Sequence, residues 1–148
     1  MSVRTEIRDQ AIQELNTDRP TDVPECTRRR FIPGEKIRAA RLAAFFQDED
    51  ADQVGGDSGP LTERNMVLLI QAIVPVELPE EADDAIEPLL EHIVATLGDT
   101  KLSGKALGVR ELNTLWATAN DGGVFVIVAL TRWRIRYYTR KNDLTKRA

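Results

Sequence analysis

The sequence predicts an α+β fold: one domain over residues 1–148, built from an antiparallel or mixed β-sheet with two main helices packed on one face. Three observations lead there. Apolar residues recur at helical spacing near residues 3–15 and 80–97. They alternate with period two over residues 62–74 and 124–138. Clusters of Pro, Gly, Asn and Asp separate these runs. A chain of 148 residues fits one domain, and at this size about two-thirds of the unfolded surface is buried on folding. The core therefore needs neither disulfide nor metal.

In the first segment Val3, Ile7, Ala11 and Leu15 repeat at i+4 with Ile12 alongside, one stripe of an amphipathic helix with Ser2 as its N-cap. Two prolines and two aspartates between Thr17 and Pro24 end it. A short strand is expected over Cys26–Ile32, closed by Pro33-Gly34. Residues 37–46 admit two readings. Ala39, Ala40, Leu42, Ala43 and Ala44 suit a helix, whereas Phe45-Phe46 favour an extended segment over Arg41–Gln47, the preferred reading. The stretch QDEDADQVGGDSGP, residues 47–60, combines acid with glycine and holds no large apolar residue but Val54, so a flexible exposed loop or hairpin end is expected.

From Thr62 to Val74, residues Met66, Leu68, Ile70, Ala72 and Val74 share one face of a long strand, with Glu63, Asn65 and Gln71 on the other; Pro75 and Pro79 are expected to end it. A helix follows over Glu80–Leu97, with a stripe from Ala82 through Ile86, Leu89, Leu90, Ile93 and Val94 to Leu97. Its early acids Glu80, Glu81, Asp83 and Asp84 suit the positive end of the helix dipole, and Gly98 stands where a C′ glycine belongs. Pro88 predicts a bend, or a first turn separate from the main helix. Two strands close the chain, Ala106–Thr118 and Val124 to about Tyr138, joined at Asn120-Asp121-Gly122-Gly123, residues that tolerate a tight hairpin turn. On the last strand the odd positions from Phe125 to Tyr137 form one face. The even positions are apolar from Val124 to Leu130 and then become Arg132, Arg134 and Arg136. The first half of that even face must be covered, while the second meets water or an acidic partner.

Charge is distributed unevenly. The net value is −4. Residues 1–60 carry nine basic against twelve acidic groups, residues 61–100 one against nine, and residues 101–148 ten against three. A chain split this way neutralises itself within one fold or attracts a copy of itself head to tail. The N-terminal residues have no apolar signal core, and the run Val124–Leu130 is far short of the roughly 20 residues of a membrane helix. The expectation is a soluble protein made in a reducing cytoplasm, with Cys26 a lone, small apolar side chain.

Catalytic chemistry is not evident. No Ser-His-Asp or Cys-His arrangement is credible, and His92 reads as a boundary histidine of the helix. One Cys and one His exclude a zinc site built mainly from those ligands. Gly55-Gly56-Asp57-Ser58-Gly59 lacks the Lys-Ser/Thr of a phosphate-cradling loop. Asp48, Asp50 and Asp52 match the first three ligand positions of an EF-hand, but Gln53 stands at its glycine and Gly59 at its bidentate Glu, so a solvated acidic loop is the better reading. Alternation sends Trp133 and Tyr137 to the face opposite Arg132, Arg134 and Arg136, which argues against a nucleic-acid surface combining stacking with charge. No cofactor, metal or specific nucleic acid is expected.

The strand TERNMVLLIQAIV, the helix segment EADDAIEPLLEHIVATLGDTKLSG and a long hairpin ending in ALTRWRIRYYTRKND together resemble the phage tail terminator family, minor tail proteins that cap the tail tube. The N-terminal helix followed by Val23-Pro24 and a strand also fits; the 47–60 insertion and Pro88 have no counterpart there. The resemblance implies a non-catalytic virion protein at the head-proximal end of the tail. It would form a ring, usually a hexamer, that ends tube polymerisation, with the tail tube protein and the head–tail connector as partners. Another head–tail neck adaptor, a tail completion protein or a non-phage nucleic-acid-binding module remain as alternatives. On charge alone, Arg132, Arg134 and Arg136 are expected to meet acids of a neighbouring copy, drawn from Asp48, Glu49, Asp50 and Asp52 or from Asp83 and Asp84.

Overall fold

The Ser2 hydroxyl accepts the backbone N–H of Thr5 at 3.2 Å and so starts α1 (Val3–Asn16), whose Val3, Ile7, Ala11 and Leu15 are all buried. The structure is a computed structural model. It describes residues 2–31, 34–54, 60–121, 123–140 and 143–147, with side chains at all of these except 50, 52–54 and 121. After α1 come β1 (Cys26–Thr27), β2 (Arg41–Val54), β3 (Leu61–Val76), a 3-10 turn (Pro79–Glu81), α2 (Ala82–Leu97), β4 (Gly108–Asp121), β5 (Val124–Arg140) and β6 (Asp143–Arg147). The strands form one mixed sheet in the order β1-β2-β3-β5-β4, with β6 paired to β5; among the described residues only the β1–β2 pairing is parallel. The expected α+β class holds, with both helices on one face.

That face is the core. Even residues of β3 from Met66 to Val74 and odd residues of β5 from Ile127 to Tyr137 lie under α1 and under Ala82, Ile86, Leu89, Ile93 and Leu97 of α2. Buried apolar surface contributes roughly 25 cal/mol per Å2, so these two stripes hold the helices to the sheet. Polar contacts then fix their positions. His92 Nε2 lies 2.7 Å from the carbonyl oxygen of Leu15, joining α2 to the end of α1 as a boundary histidine. The Asn16 amide donates to the carbonyl of Cys26 at 3.0 Å and accepts its N–H at 2.7 Å, imitating a strand partner beside β1. Burial, helped by Glu25, pushes the Cys26 thiol up to about 12, consistent with an inert apolar role.

Several expectations are corrected. The strand at Cys26 stops at Thr27, because the following arginines turn to separate partners: Arg28 pairs with Asp9 at 2.7 Å, Arg29 with Glu35 at 2.8 Å, and Arg30 stacks over Phe45. The expected Arg41–Gln47 strand runs on to Val54, so residues 47–54 are paired backbone and not loop. Asp48 is exposed there while its backbone pairs with that of Val67. Residues 55–59 of the expected loop, and Ile32 and Pro33 of the expected first strand, lie outside the described residues. Pro75 does not end β3. It pairs with Val126 of β5, while the β2 ladder has already stopped at Ile73, so on its other side no strand needs its missing N–H.

Pro88 lies within α2 without ending it, and the separate first turn is the 3-10 turn before Ala82. Gly98 adopts φ −60° and not the left-handed conformation expected of a C′ glycine; a Cβ there would lie 2.7 Å from the Val94 carbonyl oxygen. Left-handed residues occur just beyond, at Leu102, Ser103 and Gly104, where fully buried Leu102 pins a tight turn into β4. Strand β6 had no apolar signal to announce it.

Candidate functional site

With the helices on one face, the odd positions of β3 and the even positions of β5 form the other. The half nearest the β2–β3 connection carries the charges singled out in the sequence. The upper half is apolar: Ile73, Val126 and Val128 are buried together with Ile37, and Phe31 packs there while its N–H donates to Gln71 Oε1 at 2.9 Å. The segment before β2 therefore covers the apolar even positions, as required.

Across the lower half, register places Asp48 of β2 opposite Val67 of β3, Val67 opposite Arg134 of β5, and Arg134 opposite Arg110 of β4. One residue row further, Asp50 lies opposite Asn65, Asn65 opposite Arg136, and Arg136 opposite Gly108. Neighbouring strands are about 4.8 Å apart, so the face runs from an acidic margin on β2 to a basic margin on β5 and β4 within about 10–15 Å. The side chains of Asp50 and Asp52 lie outside the described set; Asp52 holds the register position opposite Glu63.

The arginines differ in their surroundings. Arg132 is tied down: its Nε donates to Gln47 Oε1 at 2.7 Å and its Nη1 to Asn113 Oδ1 at 2.9 Å. Both partners belong to β-bulges, between Phe46 and Asp48 and between Glu111 and Asn113, so Arg132 bridges two strand irregularities across the face. Arg136 is exposed, with Glu63 at 3.7 Å. Arg134 is exposed and stands directly opposite exposed Arg110, and neither has an ion-pair partner among the described residues. Like charges in that position repel. Arg132→Ala is therefore expected to lower stability of the dissociated chain by about 1 kcal/mol, discounted for exposure. Arg134→Ala should raise it by about 0.2–0.5 kcal/mol by removing a repulsive pair. Chemical denaturation of the two variants checks the contrast.

Two other acids stand apart. Glu49 lies on the helix face and is engaged within the chain: it accepts from Arg4 at 3.2 Å, lies 3.6 Å from Arg64, and accepts the Tyr137 hydroxyl. Burial and then Glu49 itself push the Tyr137 phenol upward. Within the chain, Glu49 thus anchors the start of α1. Asp83 and Asp84 are exposed in the first turn of α2, which follows the end of β3 at Val76, whereas Arg136 pairs with Asn65 near the start of that strand. They do not meet the arginines within one molecule. Trp133 and Tyr137 are each 1% exposed on the core face, as alternation required, and offer no stacking surface beside the arginines.

The sequence reading missed Arg110. Counting outward from the tight turn places Arg134 opposite Glu111, a favourable pair; the bulge after Glu111 shifts the ladder by one and brings Arg110 there instead.

No protein-family model matches the chain, and no curated protein matches it. Among solved structures, a chain described as "Virion of native gene transfer agent (GTA) particle" is similar with a TM-score of 0.45 and 14% identity, covering 91% of this chain and 92% of that one.

Proposed function

We propose that this chain is a non-catalytic structural subunit of a phage tail, the terminator that closes into a ring at the head-proximal end of the tube, ends its polymerisation and meets the head connector. A ring of six is the form that its resemblance to the tail terminators favours. The observation that carries the reading is the outer sheet face. It bears exposed Arg110 and Arg134 opposed without acids on one margin and Asp48 exposed on the other. A surface that is basic at one side and acidic at the other is satisfied by a heterologous contact, and heterologous contacts close into rings when the rotation per subunit allows.

The test is location. Labelled antibody against the chain should bind one end of isolated tails and leave isolated heads unmarked. Label on heads would assign it instead to the head-side connector, and label on neither would remove it from the virion.

A further inference from the structure

Among the described residues the sheet has two open edges. There β4 pairs only with β5 along its fourteen residues, and β2 pairs on its outer side only at Leu42 and Ala43, where β1 lies. Strand edges are hazards that proteins blunt with lysine, proline, bulges or brevity. β4 lacks these devices over Asn113–Asn120, which holds no charge, no proline and no bulge. It is also uncovered: Leu115 is 44% and Trp116 54% exposed, and Ala117 and Ala119 are exposed too. Such a strand is built to be paired.

Resting on the ring reading above, we infer that the β4 edge takes the β2 edge of a second copy, extending the sheet from one subunit into the next. Polarity admits that occupant, and charge selects it over a second β4, which would also lie antiparallel. Each of the pairs β2–β3, β3–β5 and β5–β4 is antiparallel, so a neighbour's β2 laid beside β4 with its sheet facing the same way is antiparallel as well, and the ladder continues without reversal. The same placement sets the acidic margin of the neighbour, with Asp48 on its outer face, one strand spacing from Arg110 and two from Arg134. The repulsion left inside one molecule is relieved by the next. Because the joined edges are different strands, the contact is heterologous and each copy keeps one free edge, which ring closure consumes.

The test uses the full chain with a lysine placed on one edge at a time: Ala117→Lys on β4 and Asp48→Lys on β2, both at exposed positions. Unchanged thermal midpoints of the dissociated proteins show that the fold is kept; Ala119→Lys, also exposed, replaces the first variant if it does not fold. Each variant alone should be monomeric where the wild type assembles. An equimolar mixture of the two should form one-to-one dimers, since one retains an intact β2 edge and the other an intact β4 edge. If the wild type assembles and either variant assembles equally well, or the mixture stays monomeric, the strand-to-strand contact is wrong while the ring stands. A wild type that stays monomeric at high concentration overturns both.

Discussion

Exchanging Arg134 and Arg136 for glutamate is expected to leave the chain folded but monomeric at low salt, where the wild type assembles. Both side chains are exposed on the outer face, so the exchange removes no core contact, and the surface cost should stay within about 0.5 kcal/mol each. The double exchange replaces two positive charges on the basic margin with two negative ones. A neighbour's acidic margin then faces acids across β4, about two strand spacings or 10 Å away, and like charges at that distance oppose association at low salt. The effect is largest at low ionic strength, since the Debye length is about 10 Å at 0.1 M salt and about 3 Å at 1 M. Light scattering reads the mass, and far-UV circular dichroism shows that the fold persists. Assembly equal to wild type would mean that these arginines have no part in the contact. Arg132 is left out of the exchange, because its bonds to Gln47 and Asn113 would make its loss a test of stability.

Trp133→Ala should give the largest loss of stability of any single change considered, about 3–5 kcal/mol. The ring sits between Arg132 and Arg134 in sequence yet is 1% exposed on the opposite face. Its indole N–H donates to Thr131 Oγ1 at 2.9 Å, and that hydroxyl lies 3.3 Å from the Ile70 carbonyl. Truncation leaves a cavity under the helices and removes a buried hydrogen bond. For a chain of this size the thermal midpoint should fall by roughly 6–20 °C. Trp133→Phe keeps most of the volume and should cost about 1–2 kcal/mol. Urea unfolding with an unchanged slope would show that the native state alone is affected. A loss below 1 kcal/mol for the alanine variant would contradict the assignment of odd β5 positions to the core.

These two predictions concern adjacent residues with opposite fates, and that distinction was legible in the sequence. Period-two alternation separated Trp133 from its flanking arginines, and i+4 spacing named every buried residue of α1. The switch of the even face from valine to arginine was equally plain. Residues 47–54 were not legible as strand, because acids beside glycine read as solvated chain; only the polar stretch of β3 opposite them makes a ladder there possible. Register was hidden for a different reason. A single extra residue in a ladder leaves little trace in composition, yet the one after Glu111 decides whether Arg134 faces an acid or Arg110. Glu49 looked equivalent to Asp48; alternation sends the two to opposite faces, and the bulge after Phe46 sets which one turns to the helix side, where Arg4, Arg64 and Tyr137 claim the glutamate.

On the ring reading, the chain completes its sheet only with further copies. Light scattering of the purified wild-type protein, followed from low to high salt, reads its mass and decides this. A discrete oligomer of ring size is expected at low salt, loosening as screening rises. A strict monomer across the whole range, at high protein concentration, would contradict it.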